Sequence, residues 1–157
     1  DELLYQLKHD DVIGRMDAAA GLLAFKEDLG TAAGLVASAQ SDPFWAVRKG
    51  SLEALAKLEA KNGPAVFKKA CQDQDPQVRA AALVALGDLK DRTLLDLYKG
   101  VFQKDASYRV QAEALAAIGK TGDPSAVPFL KKAAAIPSYR NMFRRAAEAA
   151  LKQLENK

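Results

Sequence analysis

The chain has one cysteine, one histidine and one tryptophan in 157 residues, and these scarcities exclude most chemistry. A lone Cys71 rules out an internal disulfide. A catalytic zinc site takes three protein ligands and leaves a fourth position open, yet His9 and Cys71 stand more than 60 residues apart. No Asp-rich loop has calcium-binding spacing. A Ser-His-Asp or Cys-His arrangement could be built only around His9, and no Gly-x-Ser-x-Gly turn is present. Gly119-Lys120-Thr121 lacks the preceding spacing of a phosphate loop. The sequence therefore points to no catalytic residue, no metal and no cofactor. His9, beside Asp10 and Asp11, reads as a surface or capping residue. Cys71, in the apolar stripe of Val66, Phe67 and Ala70, reads as a buried structural thiol. No apolar run approaches the roughly 18–20 residues that cross a bilayer. The chain opens on Asp1 and Glu2 with neither a basic-then-apolar leader nor a Met, and enters helical patterning at Leu3, Leu4 and Leu7. It reads as a fragment of a longer protein.

What the chain does contain is a fivefold repeat. From Gly14, Val47, Val78, Val110 and Phe143 the same pattern of small and large apolar residues returns, at intervals of 33, 31, 32 and 33 residues. Four residues on stand Ala18, Ser51, Ala82, Ala114 and Ala147. Seven on stand Gly21, Ala54, Ala85, Ala117 and Ala150, and eight on Leu22, Leu55, Leu86, Ile118 and Leu151. These offsets place the side chains on one helical stripe. Its small members let a neighbouring helix approach, and its leucines supply buried area. A period of this length marks stacked supersecondary units.

Each unit reads as two helices. The second starts after an acidic residue able to cap it (Asp11, Asp42, Asp75 or Asp105) or, in the last unit, after Ser138. Pro43 and Pro76 fit the first helical position. The predicted second helices cover 11–26, 43–60, 76–89, 106–119 and 138–155. The first helices lie near 29–40, 64–73, 91–104 and 124–135, with 2–8 completing the first unit. Breaks are expected at Gly30, Gly63-Pro64, Gly87, Gly119 and Gly122-Asp123-Pro124. Ten helices and no strand pattern predict a single all-α domain over residues 1–157, a right-handed α-α superhelix of about five hairpins.

Asp75-Pro76-Gln77-Val78-Arg79 resembles the turn of HEAT repeats, in which Asp-Pro is followed by Val-Arg opening the second helix. Arg48, Arg79 and Arg144 directly follow the start of the stripe, as Arg15 follows Gly14. The fourth unit departs from this, with Gln111 there and Arg109 two residues earlier. The resemblance implies that Asp42, Asp75, Arg48, Arg79 and Arg144, together with Asp11, Arg15, Asp105 and Arg109, tie adjacent units together. The alternative is that the arginines hold an acidic ligand. A narrower likeness lies in Tyr5-Gln6-Leu7, Asp11-Val12-Ile13-Gly14-Arg15, Asp42-Pro43-Phe44-Trp45 and Gly119-Lys120-Thr121-Gly122-Asp123-Pro124. These resemble the C-terminal HEAT region of zinc aminopeptidases of the aminopeptidase N family. That would make the chain a non-catalytic accessory region whose catalytic domain, with its His-Glu-x-x-His motif, lies upstream in the parent. A free-standing HEAT scaffold that binds a separate protein is the other reading, and bilin-lyase-type HEAT proteins are a further possibility.

Either reading places function on the surface. Trp45, Tyr108 and Tyr139, with Arg140 and Arg145, are candidates for a partner surface, because aromatic residues concentrate binding energy at interfaces. For Trp45 the alternative is packing against the preceding repeat. Arg140, Arg144, Arg145, Lys131 and Lys132 form the densest basic stretch. Residues 1–78 carry 9 Lys/Arg against 12 Asp/Glu, and residues 79–157 carry 14 against 8. The acidic first half and the scattered cations argue against nucleic acid, whose grip takes a continuous run of phosphate contacts. The expected partner is a protein, with no membrane involved.

Overall fold

A computed structural model describes residues 2–26 and 28–156, and for Leu29 the backbone only. Among these residues there are ten α-helices and no strand. They are α1 Glu2–His9, α2 Val12–Gly21, α3 Leu29–Ser41, α4 Trp45–Lys57, α5 Gly63–Ala70, α6 Pro76–Asp88, α7 Leu95–Lys104, α8 Tyr108–Thr121, α9 Val127–Ala134 and α10 Met142–Glu155. Short 3-10 turns at Leu22–Phe25, Arg92–Leu94, Pro124–Ala126 and Tyr139–Asn141 adjoin α2, α7, α9 and α10. The fold is all-α, as the repeat predicts.

The residues fall into two compact units, the first ending at Ala85 and the second beginning at Leu86. In the first, α1 packs on α2 and α3 on α4, each pair a hairpin. The second members meet as α2 on α4, and the first members as α1 on α3 and α3 on α5. In the second unit α7 packs on α8 and α9 on α10, while α8 and α10 share an extensive contact. The stripe accounts for these contacts. Val47, Val78 and Val110 are wholly buried, as are Leu55, Leu86 and Ile118, and Ala18, Ser51, Ala82, Ala114 and Ala147 lie among them. Only Gly14 and Gly21 in the first repeat and Leu151 in the last are half-covered.

The expected breaks at Gly87 and Gly119 are corrected. α6 runs through Gly87 to Asp88, and α8 runs through Gly119 to Thr121. Both glycines serve close approach. A Cβ on Gly119 would stand 2.7 Å from both Cα and Cβ of Ala150, and one on Gly87 would stand 3.2 Å from Cα of Ala117. Gly30 likewise lies inside α3, where its N–H bonds to the Asp28 cap at 2.8 Å. The helices actually end on left-handed residues twelve positions into three repeats: Glu59 (φ 52°), Lys90 (φ 54°) and Gly122 (φ 68°). Glycine suits that conformation, and Glu59 and Lys90 adopt it at a cost. Around Glu59 the N–H of Ala60 returns to the carbonyl of Leu55 at 3.1 Å, which closes the end of α4.

Three of the expected caps are displaced, and in the last unit Ser138 precedes the 3-10 turn Tyr139–Asn141 while the cap position of α10 falls to Asn141. The cap of α8 is Ser107, and Asp105 lies two residues before it, accepting from the Ser107 N–H at 2.8 Å. The cap position of α4 falls to Phe44, whose N–H is held by Asp42 at 2.9 Å. Asp11 caps α2 as expected, accepting from Gly14 N–H at 2.8 Å.

The glycine contacts predict opposite outcomes for one chemical change. Gly119→Ala should destabilise the protein by about 1–3 kcal/mol, since backbone must shift to admit the methyl. Gly50→Ala and Gly100→Ala lie within α4 and α7 with nothing within 4 Å of the added carbon. Each should stabilise by up to about 1 kcal/mol through helix propensity. Urea denaturation of the three variants checks the signs.

Candidate functional site

His9 is exposed, and its ring lies 4.5 Å from that of Tyr5. Cys71 is buried. Among the described residues no three His, Cys, Asp or Glu side chains gather to hold a metal ion. Ion pairs and exposed rings are therefore the features left to build a site from.

The arginines after the stripe's start reach forward to the next turn. Arg15 donates from Nε to Asp42 Oδ2 at 2.8 Å and from Nη2 to Oδ1 at 3.3 Å. Arg48 donates from Nε and Nη2 to the two oxygens of Asp73, both at 2.8 Å. Each also clasps its own turn: Arg15 Nη1 donates to the Asp10 carbonyl, Arg48 Nη1 to that of Asp42 and Arg79 Nη1 to that of Asp73, each at 2.8 Å. In the departing fourth repeat Gln111 Nε2 donates instead to the carbonyl of Phe102 in the last turn of α7, at 2.8 Å. Two-pronged Arg–carboxylate bonds fix direction as well as distance, so each bridge sets the register of one repeat on the next.

Two residues of the expected ladder stand elsewhere. The carboxylate facing Arg48 is Asp73, while Asp75 accepts from the Gln77 N–H at 2.7 Å and so opens α6. The Asp-Pro pair drew attention to the wrong carboxylate, because Asp73 precedes it by two residues and carries no motif of its own. Arg144 is exposed and makes no ion pair among the described residues.

Burial acts to raise the Asp73 carboxyl. The hydrogen bond from Arg48, the Asp75 N–H and the charges of Arg48 and Arg79 outweigh it, leaving the group below the usual carboxylate range. Arg48 is held above its ordinary value, first by that same hydrogen bond, with burial opposing.

The aromatic candidates occupy different surroundings. Trp45 is 36% exposed and its ring leans on Phe44 at 5.8 Å, while Val47 takes the inward place. Tyr108 (49% exposed) meets the edge of Phe143 at 5.5 Å, and Phe143 in turn meets Phe102 at 5.0 Å. Tyr139 is 64% exposed, with the Arg140 guanidinium 5.9 Å from its ring centre. Arg140 and Asn141 are both left-handed, at φ 50° and 55°. Arg145, Lys131 and Lys132 are exposed. Phe143 thus links Tyr108 to the turn that carries Tyr139 and Arg140, whereas Trp45 belongs to the first unit.

Sequence reading did not identify an apolar groove of about 450 Å³ between α1 and α3, lined by Leu4, Leu7, Gly30, Gly34, Ala37 and Pro43. Its signal was the spacing of Gly30, Gly34, Ala37 and Ser41 along one side of α3.

The family model for HEAT repeats matches residues 64–152, more than half of the chain. The chain belongs to the HEAT-repeat family. Its fold class is accordingly the HEAT-type α-α superhelix. This HEAT protein is similar to a chain in the solved complex of CpcE and CpcF of phycocyanin lyase from Nostoc sp. PCC7120, with a TM-score of 0.72 and 23% identity. The match covers 99% of this chain and 64% of that one, so the HEAT protein spans just under two thirds of its neighbour's length. No curated protein matches the sequence. These findings lend no support to the aminopeptidase likeness, which rests on short stretches only.

Removing one member of the Arg48–Asp73 pair strands a largely buried charge. Asp73→Asn should cost about 3 kcal/mol at neutral pH. Because the folded carboxyl titrates below its unfolded value, its contribution is complete above about pH 4 and fades as pH falls through the lowered value. Chemical denaturation across that range should find wild type and variant converging in acid. A constant gap would contradict the pairing.

Proposed function

We propose that this HEAT protein is a non-catalytic scaffold that binds another protein. The observation carrying this reading is how the chemistry-bearing side chains are used. Arg15, Arg48, Asp42 and Asp73 are taken up in joining repeats, while Trp45, Tyr108, Tyr139 and Arg140 face solvent. Repeat arrays commonly work as extended binding surfaces. The structural neighbour points the same way, being part of a two-protein complex. Neither an upstream catalytic domain nor a zinc aminopeptidase parent gains anything from the comparisons, so a separate protein is the partner this reading names.

The neighbour, a complex of CpcE and CpcF of phycocyanin lyase, supports a second reading, that the chain is one subunit of a two-chain lyase. The two readings separate by experiment. Tagged full-length protein, cross-linked in its own cells and analysed by mass spectrometry, should yield a protein partner in fixed stoichiometry. A monomer with no reproducible cross-link would refute the scaffold. A change in the absorption spectrum of phycocyanin, produced by the chain with its partner, would favour the lyase.

A further inference from the structure

In the first unit the groove of about 450 Å³ takes its lining from α1, α3 and the Asp42-Pro43 turn alone. Leu4 accounts for its glycines. A Cβ on Gly34 would stand 2.6 Å from Leu4 Cδ2, and one on Gly30 would stand 3.1 Å from Cδ1, so α3 must lack side chains where Leu4 comes to rest. Further along α3 the lining stays small, with Ala37 and Ser41. The gap between α3 and α5 differs. It holds about 280 Å³ and is lined by Gln40, Lys69, Gln72 and Asp73 along with Val66. An apolar groove is therefore not a by-product of stacking first helices.

Its polar groups belong to the later turns of the two helices. Ser38 is 9% exposed and lines the groove. Its Oγ accepts from the wholly buried Ser51 Oγ at 2.9 Å and makes no other hydrogen bond among the described residues. The Ser38 proton thus has no acceptor there, and a buried donor left in that state costs free energy. Lys8 also lines the groove, is exposed, and makes no ion pair among the described residues. Asp42 is the one acidic residue of the lining, and its charge is matched by the two-pronged bond from Arg15. The groove therefore combines apolar walls with one unmatched positive charge and one spare hydroxyl donor.

We propose that this groove binds an aliphatic carboxylic acid, its chain lying along Leu4, Leu7 and Ala37 and its carboxylate accepting from Lys8 and the Ser38 hydroxyl. Small-molecule sites are mostly apolar clefts of about 300–1,000 Å³ with a few placed polar groups, and this one has that size and make-up. A carboxylate suits the two donors because it accepts from both and supplies the charge that Lys8 lacks. A wholly apolar ligand would bury the Ser38 proton without an acceptor. The site is independent of the protein-binding reading.

Fluorescence of a dansyl-labelled aliphatic acid on the full chain, displaced by dodecanoate or by dodecanol within their solubility limits, tests this. Dodecanoate should displace the probe and weaken as salt is added. Dodecanol should bind about 5-fold less tightly, the worth of one exposed ion pair. Lys8→Gln should cost dodecanoate about 5-fold and leave dodecanol unchanged. Because Lys8 is exposed, that variant should keep the wild-type melting temperature, so its loss of binding is not a loss of fold. Ala37→Leu, which puts a side chain into the groove, should abolish displacement by both, and Lys61→Gln should change nothing. Failure of dodecanoate to displace the probe, equal affinities of acid and alcohol, or indifference to Lys8→Gln would overturn the site. If no aliphatic acid binds and a folded Ala37→Leu variant loses the cross-linked partner, the groove belongs to that protein, and this inference fails while the scaffold reading stands.

Discussion

A helical hairpin of some thirty residues cannot bury its own apolar seam, and that constraint shapes the rest of the molecule. The second helices meet through alanine and glycine, so their axes come close enough for the leucine column behind them to seal. At Gly119 the approach to Ala150 leaves no room for even a methyl group. Each wholly buried leucine is worth about 2 kcal/mol. A buried ion pair roughly breaks even with an apolar pair of similar size. The seams therefore supply the stability, and the Arg–Asp bridges supply direction by fixing which turn lies against which.

This division bears on function. A residue that closes a seam or completes a bridge is no longer available to a partner. Arg48, buried and bonded on two sides, illustrates this. The exposed residues are those the repeat does not need, and they are unevenly distributed. In the second unit they gather around the turn before α10, where the repeat pattern itself breaks down. Its 3-10 turn and its two left-handed residues, Arg140 and Asn141, depart from the scheme of the turns before α2, α4, α6 and α8.

Most of the architecture was legible because it follows from period and pattern. The helices and the inward stripe could be read from the spacing of alanine and leucine, and the HEAT likeness from the turn Asp75-Pro76-Gln77-Val78-Arg79. What escaped depended on contacts between distant residues. Gly87 and Gly119 look like helix stops, and only the neighbouring Ala117 and Ala150 explain why helices pass through them. The true left-handed ends at Glu59 and Lys90 carry no glycine to announce them. Asp73 was hidden by the more conspicuous Asp75-Pro76. Of the candidate surface, the residue types were legible, but the bracing of Tyr108 by Phe143 was not, since 35 residues separate them. The α1–α3 groove could be traced only as a run of small residues, and nothing in the sequence said that Leu4 would come to lie over it.

Amide hydrogen exchange on the intact protein tests most directly whether neighbouring seams carry the stability. The amides of α4, packed against α2, α3 and α5, should exchange far more slowly than those of α1, which packs mainly on α2 and α3 among the described residues. In the second unit α8, between α7 and α10, should outlast α9. Equal protection of α1 and α4, or an α4 that opens while α2 and α3 stay closed, would contradict the account.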